Sequence, residues 1–364
     1  MFSNFKYKRI DTYITKKFLG TFFYSIALII IIVIIFDISE KIDDFLEKNA
    51  PLSEIIFTYY LNFVPYFVNL FSPLFTFIAV IYFTSKLANN TEIIAVLSSG
   101  ISYYRLLRPF IYSAVFLALF SFVLSNFIIP AANKKRITFE MKYIKNPLRS
   151  KDVNIHMQIS PGGYAYAEHY NSVNNLAYNF SLERITEKGL TYKINSDVAR
   201  WDSANGTWTI ENYYIRTIDS LKETLSFGSR LDTTINLKPA DFIANLNNIA
   251  TMNWGELNKY IANEKLKGSD YVSHYLMEKH RRIASPFATV VLTLIGVSLS
   301  SRKLRGGIGL HLGFGIALSF SFIMFMQISS TFATSGNLPP VIAAWIPNII
   351  FGALGIYLLR IAPK

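Results

Sequence analysis

Phe18-Leu19-Gly20-Thr21-Phe22-Phe23-Tyr24-Ser25-Ile26-Ala27-Leu28-Ile29-Ile30-Ile31-Ile32-Val33-Ile34-Ile35-Phe36 runs without a single charged side chain. A helix rises about 1.5 Å per residue, so about 20 such residues cross the hydrocarbon core of a bilayer. The run outlasts the apolar region of a cleavable leader, and no small-residue cleavage pattern follows it. It is therefore expected to stay as a signal anchor. Five further segments have the same character: Ile55–Thr84, Pro109–Ile129, Ile283–Ser300, Ile308–Phe332 and Val341–Leu359. Pro65 and Pro73 should kink or tilt the second segment. Pro109 is placed to begin the third, and Pro130 to end it.

Composition agrees with six membrane spans. The 364 residues are 51% hydrophobic and only 16% charged, with mean hydropathy +0.30. There is no cysteine, which excludes disulfides and thiolate metal sites. The net charge of +12 has a topological source. Lys6, Lys8, Arg9, Lys16 and Lys17 precede the first span. Lys86, Arg105 and Arg108 lie between the second and third, and Arg302, Lys303 and Arg305 between the fourth and fifth. Arg360 and Lys364 follow the last. The alternate short loops hold only Lys41 and Lys48. Positive residues mark the cytoplasmic side, so both termini are expected there. Nucleic-acid binding is not needed to explain the charge.

The long segment Ala131–Lys279 then belongs outside the cytoplasm. It alternates with period two in Val153, Ile155, Met157 and Ile159. Leu176, Tyr178, Phe180 and Leu182 repeat the pattern, as do Leu190, Tyr192 and Ile194, then Trp208 and Ile210, and Ile235 and Leu237. Alternation buries one face of a strand. Pro161-Gly162-Gly163, Asn174-Asn175, Lys188-Gly189 and Asn205-Gly206 are turn signals between the runs. Many short antiparallel strands suggest a sandwich or jelly roll. After Pro239, Leu257, Tyr260, Ile261 and Leu266 shift to helical spacing. The fold class is an α-helical polytopic membrane protein with an inserted all-β, jelly-roll-like domain. Its expected division is 1–130, three spans with a loop helix near 90–100; 131–250, the β-domain; 251–282, a helical connector; and 283–364, the last three spans.

Catalytic signals are sparse. No phosphate-binding Gly-x-x-x-x-Gly-Lys-Ser/Thr occurs, and His156, His169, His274, His280 and His311 show no metal spacing. Glu168-His169 reads as surface. His311 alone places an ionisable group inside a span, which argues against an ion-coupled pump. No cofactor is expected. Gly309-x-x-x-Gly313 allows a close helix approach. The loop Asn89-Asn90-Thr91-Glu92-Ile93-Ile94-Ala95-Val96-Leu97-Ser98-Ser99-Gly100 predicts a short amphipathic helix, capped by Asn90 or Thr91 and stopped at Gly100. Its apolar side faces either the bundle or a partner. Lys134, Lys135 and Arg136 after the third span, and Lys279, His280, Arg281 and Arg282 before the fourth, are basic on the side where the charge rule expects few. They either snorkel to lipid phosphates or hold a phosphate-bearing ligand.

These fragments together resemble the LptF/LptG (YjgP/YjgQ) lipopolysaccharide export permeases over nearly the whole chain. The resemblance is carried by Asp11-x-Tyr13-Ile14, by Asn90-x-Glu92-Ile93-x-Ala95-x-x-x-x-Gly100-Ile101-Ser102 and by Arg108-Pro109. It continues through Glu278-x-His280-x-Arg282-x-x-x-Pro286, Leu338-Pro339-Pro340 and Trp345-x-Pro347-Asn348. It implies a non-catalytic inner-membrane subunit that pairs with a paralogous permease and sits on a dimer of a separate cytoplasmic ATPase. That assembly takes lipopolysaccharide from the membrane and passes it to periplasmic bridge proteins. The resemblance makes Glu92, Ile93, Ala95, Val96, Leu97 and Gly100 the ATPase-coupling residues. Lys41, Lys134, Lys135, Arg136, Arg281 and Arg282 become lipid-phosphate contacts, and Gly309 and Gly313 lateral-gate packing between the first and fifth spans. Relatives carry a lysine near the outer end of the first span; here Ile34-Ile35-Phe36-Asp37 stands there, and Lys41 is the nearest base. The length favours the LptG-like partner. A membrane-anchored scaffold or sensor whose β-domain binds a periplasmic partner stays open as the alternative.

Overall fold

The computed structural model describes residues 9–144, 153–171, 174–187, 189–219, 222–242, 249–269, 271–301 and 307–362. Lys6, Lys8, Arg302, Lys303, Arg305 and Lys364 of the charge count, and Lys188 of the turn signals, lie outside these residues. The chain divides into two compact units. One comprises Met1–Ile144, Ala250–Trp254 and Leu276–Lys364, the other Lys145–Ile249 and Gly255–Tyr275.

The first unit holds six helices long and apolar enough to cross a membrane: Arg9–Glu47, Glu54–Asn89, Tyr103–Tyr143, Val272–Ser300, Ile308–Thr334 and Pro340–Ile361. The first is 39 residues, about 58 Å at the helical rise, so its ends extend well past a ~30 Å hydrocarbon layer. It buries Ile14, Phe18, Phe22, Ile26 and Ile30, one residue per turn on a single stripe. This stripe packs against Ala79, Val80, Phe83 and Leu87 of the second helix and Leu106, Leu107, Phe110 and Leu117 of the third. The opposite face, with Tyr24, Ile31, Ile35 and Phe36, is exposed, as suits a helix bordered by lipid. Elsewhere, small residues set the approach. A side chain on Gly296 would press on Phe77 and Val80, and one on Gly355 on Ile295.

The prolines do not mark helix ends. The third helix starts at Tyr103, where the Ser102 side chain accepts from the Arg105 N–H, and Pro109 lies inside it. The helix also runs through Pro130 to Tyr143. Proline lacks an N–H, and its ring crowds the carbonyl four residues back. Here the five residues Leu124–Ile128 just before Pro130 form wider π-helical turns. That opening of the ladder lets the proline pass without a break.

The second unit is built on one antiparallel sheet whose described strands pair in chain order: β1 Val153–Ser160, β2 Gly163–Asn171, β3 Leu176–Thr186, β4 Gly189–Asp202, β5 Thr207–Asp219 and β6 Lys222–Thr233. Trp208 and Phe180 stack at 6.0 Å, Tyr170 stacks on Phe242 at 4.7 Å, and the Trp208 indole donates to the Leu237 carbonyl at 2.8 Å. Leu237 and Phe242 thus fold back from the end of β6 onto the buried face.

The alternation reverses along one transverse line. Phe180 and Leu182 point inward, but Tyr178 points out and Ala177 takes its place. Tyr178 pairs with Val198 and Phe180 with Ser196, which leaves Asn179 opposite Asp197. The same register arithmetic sets Asn154 beside Glu168, Glu168 beside Asn179, Asp197 beside Asn212, and Asn212 beside Ser229. Asn154, Asn179 and Asn212, one in every second strand, hold φ of +58°, +47° and +51°. Asparagine tolerates this left-handed region better than most residues. Across this row two successive side chains turn outward in β2, β3 and β5. Inward positions are then three apart, as in Ala167 and Tyr170, Ala177 and Phe180, and Ile210 and Tyr213. The expectation of one row Leu176, Tyr178, Phe180, Leu182 fails here for that reason.

Candidate functional site

The loop helix is Glu92–Ser98, seven residues. Thr91 precedes it at φ +62° and makes no side-chain cap; its hydroxyl donates to the Asn90 carbonyl at 2.6 Å instead. A β-branched residue in the left-handed region is strained, and such strain collects at functional turns. Asn90 Nδ2 donates to Glu92 Oε1 at 3.2 Å. The helix stops where the Gly100 N–H reaches the Leu97 carbonyl, with Gly100 at φ +83°.

The helix has two faces. Ile93 is buried, and Val96 and Leu97 pack partly buried against the cluster of Ile14, Phe18, Tyr103 and Leu106. Ile94, Ala95 and Ser98 face out, with Ile94 54% exposed. The inner side is thus tied to its own bundle, and the outer side is Ile94, Ala95 and Ser98, with Glu92 half-buried at its edge. Sequence alone puts Ile94 on one apolar side with Ile93, Val96 and Leu97, because it does not say which way a two-turn helix is rotated. Glu92 lies near the Tyr13 hydroxyl of the first helix. Asp11, two residues before Tyr13, receives both prongs of the Arg105 guanidinium at 2.7 and 2.6 Å.

The opposite end of the bundle carries the basic residues. Arg282 is 5% exposed; its Nε donates to Glu278 at 3.1 Å and its Nη1 to the Met252 carbonyl at 2.7 Å. Arg281 shares Glu278 at 2.5 Å but is half exposed. Arg136 lies 3.6 Å from Glu140 and 5.8 Å from the centre of the Tyr66 ring. Lys134 and Lys135 are exposed. Lys41 is held within the chain: Asp37 accepts from it at 2.7 Å, and it also contacts the hydroxyl of the fully buried Tyr59. Tyr60 donates to the other Asp37 oxygen at 3.1 Å. Alongside Tyr66, an aromatic ladder follows the second helix from Phe63 and Phe67, stacked at 4.2 Å, to Phe71 and Phe75.

In the fifth helix Gly309 and Gly313 are exposed and have nothing within 4 Å of where a side chain would start. The close approach is made instead by Gly315 against Ile81.

A family model, lipopolysaccharide export system permease LptF/LptG, matches residues 12–361. The chain belongs to the LptF/LptG family. It is therefore a multi-pass permease component of lipopolysaccharide export and not a catalytic subunit. The match is shared by both paralogues and carries no choice between them. No curated protein matches the chain in a direct comparison of sequences. For an LptF/LptG permease, the residues that sequence reasoning passed over are Ile94, the Asp37–Tyr59–Tyr60 cluster, Tyr66 and the Arg105 partner of Asp11. Ile94, Asp37 and Asp11 lie in stretches quoted above, but their partners and orientation do not show in sequence; the Arg105 partner of Asp11 is 94 positions away.

Proposed function

We propose that this chain is one permease of an ATP-driven lipopolysaccharide extractor, paired with a paralogous permease and docked on a dimeric ATPase through Glu92–Ser98. Both termini lie in the cytoplasm and the sheet unit in the periplasm, where it passes lipid to a bridge protein. The family match over residues 12–361 carries this reading. The exposed Ile94 and Ala95, with half-buried Glu92 at the edge of that face, support the docking role. Lys134, Lys135, Arg136 and Arg281 are the phosphate contacts; Lys41 and Arg282 shape the site through Asp37 and Glu278. The aromatic ladder from Tyr66 to Phe75 receives acyl chains. In the sheet unit the half-buried inward side chains Ile155, Leu182, Tyr192, Tyr213 and Ile215 form an apolar slot. Covering acyl carbons there is worth about 0.8 kcal/mol per methylene.

The experiment is photo-crosslinking from Tyr66 and Leu182 in the full chain, with copurification of the ATPase. The reading expects lipopolysaccharide captured at both positions, and ATPase retained by the parent and lost with Glu92→Ala. Capture at neither position, or transport unaffected by Glu92→Ala, overturns it.

A further inference from the structure

The start of the first helix meets the segment that carries the loop helix at two points. Tyr13 lies near Glu92 at the helix entrance, and Arg105, five residues past Gly100, grips Asp11 with two parallel hydrogen bonds. The Asp11 carboxylate is 3% exposed, and a cavity of about 30 Å³, the size of one water, opens beside it among Ile10, Ile14, Ile101, Leu106 and Pro109. Between these two points, Ile93 is buried against Ile14, Phe18 and Leu106. The loop helix itself hangs between two left-handed residues, Thr91 and Gly100.

We propose that the Asp11–Arg105 pair is the linkage through which movement of the loop helix is delivered to the first helix, Arg9–Glu47. The proposal rests on the reading of Glu92–Ser98 as the ATPase dock. An apolar contact would hold these segments together equally well but would let them slide. A two-pronged guanidinium–carboxylate contact fixes both distance and rotation. Separating it breaks two charge-assisted hydrogen bonds to a nearly inaccessible carboxylate, so the two helix starts travel together. The first helix is rigid over about 58 Å, so a tilt imposed at Asp11 displaces its far end. Asp11 and Arg105 are positioning residues: neither touches lipid or nucleotide.

The test uses the full chain with its partner permease and the ATPase in liposomes carrying lipopolysaccharide. Asp11→Asn and Arg105→Lys both remove the fork, the second while keeping the charge. ATPase retention and ATP hydrolysis should stay near the parent's, while lipid extracted per ATP falls about tenfold or more. The exchange Asp11→Arg with Arg105→Asp should recover part of the loss. Unchanged lipid per ATP overturns the linkage, and so does a parallel fall of all three readouts, which marks a mere staple of the fold. If the parent itself retains no ATPase, the docking reading fails first and takes the linkage with it. The chain has no cysteine, so spin labels at Leu28→Cys and Tyr357→Cys, both exposed, give a second readout. Their separation should change with nucleotide in the parent and not in Arg105→Lys; a change that persists in that variant overturns the proposal.

Discussion

Arg281 and Arg282 are adjacent bases with opposite fates. Arg282 is enclosed, bonded both to Glu278 and to the Met252 carbonyl of the returning strand, while Arg281 reaches outward past the same carboxylate. Without Arg282, Glu278 keeps Arg281, but the Met252 carbonyl loses its donor, and an unsatisfied buried acceptor costs about 1–3 kcal/mol. Arg282→Ala should therefore lower the thermal midpoint of the purified chain markedly, and Arg281→Ala should barely move it. Equal shifts would remove the distinction. The sequence reading grouped the two as lipid contacts because both are basic at a membrane boundary. Neighbours on a helix point about 100° apart, and only the position of Met252 decides which of them turns inward. A second residue-scale test is one of pH. Asp202 accepts from the Ala204 and Asn205 backbone N–H groups at the β4–β5 turn, and these bonds hold its carboxyl below the ordinary 3.8. A lowered folded-state pKa gives stability above 3.8 that disappears as the pH falls through the folded value. Asp202→Asn should flatten the acid limb of hydrogen-exchange protection at this turn below pH 3.8 and leave the neutral region alone.

At the scale of elements, the helices and strands were legible because each period of hydrophobicity is a local property. Nineteen uncharged residues announce a span, and Ile155, Met157 and Ile159 announce a strand with one wet face. The transverse line through Asn154, Asn179 and Asn212 was not legible. Period-two counting assumes a uniform pleat, and an asparagine in a strand looks like any outward polar residue. The signal lies in pairing, since the three residues fall in one row only once the register is known. Left-handed backbone costs an ordinary L-residue about 1–2 kcal/mol, and a β-branched one at least that. Asn179→Val should therefore destabilise the sheet unit by about 2 kcal/mol, and Asn179→Gly should be close to neutral. Denaturant midpoints of the two variants check this; a tolerated valine would mean the row straightens freely. Pro130 teaches the same lesson on a helix. Its ring is accommodated by the π-helical turns before it, which no propensity scale anticipates.

Across the whole molecule, the sequence located the glycine-rich fifth helix, and the family resemblance assigned its Gly309 and Gly313 to lateral-gate packing against the first span. Within the chain that approach belongs to Gly315, which meets Ile81, and to Gly296, which meets Phe77 and Val80. Gly309 and Gly313 face outward over open space, on a face that none of the described residues covers. A helix face of small residues, left bare in one subunit, is suited to receive another helix backbone, because association in lipid depends on close packing more than on apolarity. Two substitutions separate the roles. Gly315→Leu overpacks an internal contact and should cost about 1–3 kcal/mol in thermal stability of the isolated chain. Gly313→Leu meets nothing and should leave that stability within about 0.5 kcal/mol. If the bare face is the seam with the partner permease, Gly313→Leu should nonetheless sharply reduce partner copurification and lipid extraction together. A Gly313→Leu chain that pairs and extracts like the parent would mean that this face meets only lipid.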